Sequence, residues 1–156
     1  MNITPTVAGF VVFAQNGMGV PGADMPTNDQ MQQALDYASF WVPTDFQNYA
    51  LPPTLSLNTN SPYVACVYNW AASLLIQFQP DAAGQNFFST ARTSYGIGTW
   101  VPGPISSVSN EATSQSMELG DGMKNLTFTD MQRAKDPYGR QALEFLQSIG
   151  TLWGLS

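Results

Sequence analysis

The sequence predicts a mainly α-helical protein: a small helical bundle with a projecting β-hairpin and an extended N-terminal arm. Two segments repeat apolar residues with the 3.6-residue period of a helix, and capping residues and a proline bound each of them. A Ser- and Thr-rich stretch without glycine or proline favours two short strands at about residues 105–119. We assign residues 1–26 to the arm and residues 27–156 to one helical domain.

The arm is predicted from its turn-forming residues. Five glycines or prolines fall between Gly17 and Pro26, which is typical of irregular chain. We expect at most a short strand at residues 10–14. The apolar run there has no basic residues ahead of it, so we expect no signal peptide. No apolar stretch approaches the roughly 18 residues of a membrane span, and we expect a soluble intracellular product.

The first two helices have clear boundaries. The first can be capped by Thr27 or Asn28 and stops at Pro43. The second has Ser61 as its cap and Pro62 at its first helical position. No residue from 62 to 79 is charged, which indicates a central helix or one that a neighbouring subunit also buries. We expect two buried stripes: Met31, Ala34, Leu35, Ala38, Trp41 and Val42 in the first helix, and Val64, Val67, Tyr68, Ala71, Leu74, Leu75 and Phe78 in the second.

Further elements follow along the chain. A short helix is expected over residues 85–95, before a loop rich in glycine and proline. The last helical segment is expected to start at residues 129–134 and to restart at Asp136 and Pro137, a cap followed by a proline at the first helical position. Its apolar stripe comprises Ala142, Phe145, Leu146, Ile149, Leu152 and Trp153.

The expected hairpin pairs residues 105–109 with residues 114–119. It contains too few apolar residues for a core hairpin, and an isolated two-stranded hairpin is marginal in water. Its edges could add to strands of another chain and be stabilised there. A polar exposed flap is the alternative interpretation.

Charge and composition exclude several function classes. The net charge is -6, so the chain lacks the basic footprint of a nucleic-acid binder. Charged residues make up only 10%, against about 25% in a typical soluble domain. A surface of this kind can be buried in an assembly without a large desolvation cost. With no His and a single Cys, a Ser-His-Asp triad and a cysteine-based zinc cluster are also excluded.

The sequence offers no convincing catalytic, cofactor-binding or metal-binding site, and we do not expect an enzyme or a bound cofactor. Neither a phosphate-binding loop motif nor a Gly-x-Ser-x-Gly elbow occurs. Glu118 and Asp121 lie close together near two glycines. Two carboxylates on a glycine turn are more often a solvated loop than a cation site.

The order of these parts resembles the head-to-tail adaptor (connector, or head completion) proteins of tailed bacteriophages. The resemblance rests on the capped helix NDQMQQALDYA (28–38), the all-apolar helix 62–78, the segment PGPISSVS (102–109) and DPYGRQAL (136–143). It covers residues 27–150. Two departures are the longer glycine-rich arm and the absence of a tight glycine turn in the hairpin.

The resemblance implies a structural virion protein of the neck, made in the host cytoplasm. Such a protein forms a ring, commonly of twelve copies, that joins the portal protein to a tail or nozzle protein. DNA passes through the ring during ejection without sequence-specific binding, and no membrane is involved. We expect subunit or portal contacts at Ser107, Val108, Ser109, Ser114, Gln115, Ser116, Trp153, Leu155 and Ser156, and channel-facing carboxylates at Asp24 and Asp29.

Three alternatives stay open. One is another neck or tail completion ring. A second, from another class, is a small virion-associated hydrolase that uses a carboxylate pair. A third is a peptide-binding module that augments an exposed strand.

Overall fold

The computed structural model of the chain describes residues 4–44, 61–99, 107–109, 114–116 and 134–148. This part of the chain is mainly α-helical, as the sequence predicts. Its α-helices are α1 (Val7–Phe13), α2 (Asn28–Trp41), α3 (Pro62–Phe78), α4 (Phe87–Ser94) and α5 (Pro137–Ser148). A π-helical turn (Ala14–Met18) extends α1, and a 3₁₀ turn (Gly22–Asp24) precedes α2.

Residues 7–18 are helical, so the prediction of an extended N-terminal arm with a short strand at residues 10–14 is wrong. Thr6 caps α1, since its Oγ1 accepts a hydrogen bond from the Gly9 backbone N–H at 3.1 Å. Three apolar residues four positions apart then face the core: Phe10, Ala14 and Met18. This stripe outweighs the nearby glycines, because burial of an apolar face stabilises a helix more than local propensity does.

Tyr68 of α3 holds the start of α1. Its side chain is fully buried, and its hydroxyl both accepts from the Thr6 N–H and donates to the Thr6 carbonyl, each at 3.2 Å. The Tyr68 ring also packs on Phe10 and Phe13, with centroids 5.5 and 5.8 Å apart. Gly9 permits this approach, because a Cβ atom at that position would overlap the Tyr68 hydroxyl.

Helices α2 and α3 begin as the sequence predicts. Thr27 and Gln30 form a capping box at α2. Ser61 caps α3, and its Oγ accepts from the Val64 N–H at 3.3 Å. Thirteen of the seventeen residues of α3 are buried, including Cys66 and Asn69. Helices α2, α4 and α5 all pack against α3, which confirms that it is the central helix.

An eight-residue corner, residues 79–86, joins α3 to α4. Asp81 caps α4, accepting from the Phe88 and Ser89 N–H groups at 2.7 and 3.0 Å. Arg92 of α4 donates to the Ile76 and Gln79 carbonyls at the end of α3, and its guanidinium lies 3.8 Å from Asp81. Burial acts to raise the pKa of Asp81, but hydrogen bonds from Ser89 and Phe88 and the Arg92 charge hold it below its ordinary value.

Asp136 begins α5 and docks it on α3. The side chain is 0% exposed; it accepts from the Gly139 N–H at 2.6 Å and from the Ser73 hydroxyl at 2.8 Å. Gln77 donates in turn to Ser73 at 3.0 Å. Burial raises the pKa of Asp136, and these hydrogen bonds only partly oppose that rise. The predicted helix restart at residues 136–137 is confirmed.

Further contacts tie α5 to the rest of the bundle. The Cys66 thiol faces the Ala142 carbonyl, 3.8 Å away in the core, and burial raises the pKa of this thiol to about 12. The Tyr138 hydroxyl donates to the Gly17 carbonyl at 3.0 Å. Just before α5, Lys135 donates to the Gly96 and Thr99 carbonyls at 2.6 and 2.7 Å.

Two short strands, β1 (Ser107–Ser109) and β2 (Ser114–Ser116), pair antiparallel with Val108 opposite Gln115. The residues that join and flank them lie outside the described residues. A β-hairpin projecting from the bundle, as expected for residues 105–119, is therefore not supported.

The buried Asp136 predicts an unusual pH dependence. Its folded-state pKa is raised, so the folded chain binds a proton more readily than the unfolded chain from that raised pKa down to the ordinary value of 3.8. Stability from this group therefore increases as the pH falls through that window. We expect urea denaturation to show that the wild type gains stability relative to Asp136→Asn on acidification. At neutral pH, Asp136→Ala should lose about 1–3 kcal/mol, because both the cap and the Ser73 partner disappear. A constant difference between wild type and Asp136→Asn across the window would contradict the assignment.

The approach of Tyr68 to α1 predicts a coupled pair of substitutions. Gly9→Ala should lower the free energy of unfolding by about 1–3 kcal/mol through overpacking against the Tyr68 hydroxyl. Tyr68→Phe removes that hydroxyl, so Gly9→Ala should cost markedly less in the Tyr68→Phe background. A double-mutant cycle from thermal or urea unfolding measures the coupling. Additive losses would mean that α1 does not pack on Tyr68 in this way.

Candidate interaction surface

Four large aromatic side chains lie exposed on the outer side of α2 and at the end of α3. Tyr37, Phe40 and Trp41 of α2 are 56%, 81% and 51% exposed, and Phe78 of α3 is 74% exposed. We call these four residues the aromatic surface. Isolated exposed apolar residues are common on proteins, but clustered ones mark interaction sites.

The sequence of α2 produces this surface because it carries two apolar stripes. One stripe faces the core and consists of Met31, Ala34, Leu35, Ala38 and Val42. The other places Tyr37, Phe40 and Trp41 at positions i, i+3 and i+4, which share one helix face. The Phe40 and Trp41 rings meet edge to face, 5.5 Å apart. A helix with two apolar faces is typical of one that is buried on both sides.

Two open cavities of about 580 and 520 Å³ adjoin the aromatic surface and share Gln33 and Tyr37. The first also borders Phe40 and Trp41, and the second extends across to Phe78. Among the described residues, Asp36 is the one charged residue that lines either cavity, and it accepts a hydrogen bond from Gln32 at 2.7 Å. A partner would therefore meet rings and neutral amides, with little charge to desolvate.

The exposed area of the aromatic surface can be compared with that of known functional patches and interfaces. Large aromatic side chains have areas of about 150–250 Å² each, so the exposed fractions amount to about 500 Å². This lies in the range of the largest apolar patch on a monomer, which is often functional. A stable interface buries about 800 Å² on each partner. The aromatic surface could thus supply the apolar centre of one side of such an interface.

Periodicity alone predicts that two members of the aromatic surface, Trp41 and Phe78, are buried. Trp41 and Phe78 each continue a stripe that is otherwise buried, yet both side chains are largely exposed. Phe78 stands at the end of α3, where the core no longer covers the stripe, whereas Trp41 lies on the outer stripe of α2 with Tyr37 although the next residue, Val42, is buried. Sequence reasoning missed Tyr37 and Phe40, although their helical spacing with Trp41, out of phase with the core stripe, was a usable signal.

The structure brings together few of the sequence-predicted site residues. Ser107, Val108 and Ser109 pair with Ser114, Gln115 and Ser116. Trp153, Leu155 and Ser156 lie outside the described residues.

The two proposed channel carboxylates differ in their surroundings. Asp24 lies in the 3₁₀ turn before α2, and its buried Oδ1 accepts no hydrogen bond from the part of the chain that the structure describes. Asp29 is exposed in the first turn of α2, where its charge suits the helix dipole. Their role in a channel stays a prediction, because a channel requires further copies of the chain.

The groups with shifted pKa values have structural roles in this fold. Asp81 and Asp136 cap helices, and Cys66 lies in the core. The pKa of Tyr138 is raised by burial and by its neighbours Tyr95 and Asp136. Within the described residues, no group of three His, Cys, Asp or Glu side chains could hold a metal ion.

Comparisons with protein-family models, with curated proteins and with solved structures found no match for this chain. Among the described helices, none is both long enough and apolar enough to cross a membrane. The aromatic surface is the described feature that bears most directly on function.

Proposed function

We propose that this chain is the subunit of a homo-oligomeric structural ring, the head-to-tail adaptor of a tailed bacteriophage. The ring would join the portal protein to a tail or nozzle protein in the virion neck and surround the DNA channel. The observation that carries the proposal is the aromatic surface, which leaves α2 with one apolar face in the core and another exposed.

A ring subunit needs two different contact faces, because each copy touches its neighbours head to tail around a closed circle. In this proposal the aromatic surface forms one of these two contact faces. Large aromatic side chains near the centre of an interface carry much of its binding energy. The low content of charged residues, 10%, supports burial of much of the remaining surface, since neutral polar groups are less costly to desolvate than charges.

The identity of the ring rests on the resemblance in the order of parts. The capped α2, the charge-free α3, the Ser-rich segment around residues 107–116 and α5 opening at Asp136 follow one another as in the adaptor proteins. In this proposal the Ser-rich segment and the C-terminal residues 153–156 form the second face, towards a neighbouring subunit or the portal. Twelve copies are the expected number.

The charge distribution supports a channel that does not hold DNA. All five Lys and Arg residues lie at position 92 or later, whereas five Asp residues precede it. A lumen lined by the acidic half would repel the phosphates, so that DNA could slide through without adhering. Asp24 and Asp29 are the candidates to line it.

Two of the three alternatives can be compared with the described residues. Another neck or tail completion ring would use the same aromatic surface and differ only in its partners. A hydrolase would need two carboxylates facing each other across a cleft. The two described carboxylates whose pKa values are shifted, Asp81 and Asp136, are engaged in helix caps. We therefore do not propose an enzyme.

The aromatic surface predicts a specific loss of self-association. Native mass spectrometry of the wild-type chain at increasing concentration should show closed assemblies of one copy number. Phe40→Ser combined with Phe78→Ser should weaken self-association at least about tenfold, because two hot-spot-sized side chains leave the interface. The fold should be retained, since both side chains are largely exposed.

Val12→Ser is the matched control. Val12 is a 55% exposed apolar residue on α1, outside the aromatic surface, so self-association should be unchanged. Equal weakening by the control and by the double variant would show that surface hydrophobicity in general drives association. A wild-type chain that stays monomeric at every concentration, with or without a portal, would refute the ring.

The second face gives a separate prediction. Deletion of residues 106–117 should abolish ring formation while leaving the far-ultraviolet circular dichroism signal of the helices intact. The physical reason is that these residues would pair with another chain rather than contribute to the core. Complete rings from the deletion variant would remove this segment from the interface and leave the aromatic surface to be tested alone.

A further inference from the structure

The open cavity of about 520 Å³ between α2 and α3 is the part of the aromatic surface with a defined shape, and we call it the α2–α3 groove. Apolar or aromatic residues from both helices line it: Ala34, Tyr37, Leu74, Leu75 and Phe78. The rest of its lining consists of the glutamines Gln30, Gln33 and Gln79. Among the described residues, none that lines this groove is charged. The groove therefore suits apolar side chains on a polypeptide segment without charges, whose backbone can pair with amide side chains.

Helix α5 runs antiparallel to α3. Asp136, just before α5, accepts a hydrogen bond from Ser73 near the end of α3, whereas Ala142 within α5 faces Cys66 near the start of α3. The end of α5 at Ser148 thus lies towards the first residues of α3. The α2–α3 groove lies beside the last residues of α3, at the other end of the bundle.

The α2–α3 groove and α5 also lie on different sides of α3. With 3.6 residues per turn, Leu75 and Phe78 stand about 120–180° around the helix from Cys66 and Ser73. The first two residues line the groove, and the last two face α5. A segment that continues from α5 therefore starts at the opposite end and on the opposite face of α3 from the groove of its own subunit.

Residues 149–156 follow α5 in the sequence. They carry no charged side chain and include Leu152, Trp153 and Leu155. At a rise of about 1.5 Å per residue, Ser148 lies about 20 Å from the level of Leu74 along the axis of α3. From Ser148 to Trp153 the chain spans at most about 18 Å when fully extended, and it would also have to pass around the bundle. Trp153 is therefore out of reach of the groove in its own subunit, but it can meet the groove of another copy.

Other segments outside the described residues match the α2–α3 groove less well. Residues 117–133 carry five charged side chains, which would be costly to bury in a groove without a counter-charge. Residues 45–60 contain no tryptophan and include Asp45. Residues 100–106 are uncharged and include Trp100, but three of the seven are proline or glycine. They are the alternative occupant that the experiment below tests.

We propose that residues 151–155 of each copy bind in the α2–α3 groove of the next copy around the ring, with Trp153 as the central side chain. The contact joins opposite ends and opposite faces of two subunits. It is therefore a head-to-tail contact, which is the type that a closed ring uses. This inference rests on the proposed function, since it requires copies that associate with one another.

Disulfide cross-linking between copies tests this contact directly. Gln33→Cys places a thiol on the exposed edge of the groove, and Thr151→Cys places one in the segment. The native Cys66 does not interfere, because it is buried and its thiol pKa is raised to about 12. With oxidised glutathione, a mixture of the two single variants should give covalent dimers that contain one copy of each. A chain with both substitutions should give a ladder of covalent oligomers up to the full ring.

Gln15→Cys is the matched control for Gln33→Cys. Gln15 is also an exposed glutamine, but it lies in the π-helical turn and does not line the groove. Mixed with Thr151→Cys, it should give far less covalent dimer than Gln33→Cys does, and equal yields would contradict the proposal. A disulfide formed only within the doubly substituted chain would show that the segment occupies its own groove. Covalent dimers as the largest product would show exchange in pairs, and either result would overturn the proposal.

Substitution of Trp153 provides an independent measurement. Trp153→Ser should weaken self-association at least about tenfold, because tryptophan is a frequent hot-spot residue. In the Phe78→Ser background it should have little further effect, since both changes remove the same contact. Trp100→Ser should leave self-association unchanged. If Trp100→Ser has the larger effect, residues 100–106 occupy the groove and the proposal is wrong. If either tryptophan variant does not fold, the cross-linking yields decide.

The outcomes separate this inference from the proposed function. If the wild-type chain forms closed assemblies but Gln33→Cys and Thr151→Cys do not cross-link, the ring stands and this contact is wrong. If the wild-type chain stays monomeric at every concentration, with or without a portal, both proposals are refuted.

Discussion

The hydrogen bond from Ser73 to Asp136 lies within the contact between α3 and α5, and the arrangement of the bundle depends on it. Helix α3 has no charged residue, so apolar packing draws other helices towards it without fixing their register. A buried carboxylate restores that specificity, because it is costly to bury unless its partners stand in the right place. Asp136 meets that condition by capping α5 and accepting from α3 at once, which positions Cys66 opposite Ala142 and Tyr138 opposite Gly17.

Local signals in the sequence were sufficient to predict the helices whose first residues are preceded by a capping side chain. Thr27, Ser61 and Asp136 were identifiable as caps because a small polar side chain precedes a helical pattern at each of them. Helix α1 was missed because its start is held by Tyr68, a residue 62 positions away in the sequence. The glycine at position 9 opposes a helix when considered alone but is required once the Tyr68 hydroxyl is present.

The candidate interaction surface was only partly predictable for a related reason. Periodicity shows that a residue lies on an apolar stripe, but it does not show how far the core extends along that stripe. Phe78 lies beyond the reach of the core at the end of α3, whereas Trp41 faces outward although the next residue, Val42, is buried.

The corner between α3 and α4 has a mechanical consequence. The angle at which α4 leaves α3 is set by side chains: Arg92 reaches back to the last carbonyls of α3, and Asp81 holds the first N–H groups of α4. Each helix keeps its own backbone ladder whether or not these side chains engage. Weakening the contacts of Arg92 and Asp81 would therefore loosen the angle between α3 and α4 without unfolding either helix. This joint is where the bundle could adjust its shape to a neighbour at the least cost in helical structure.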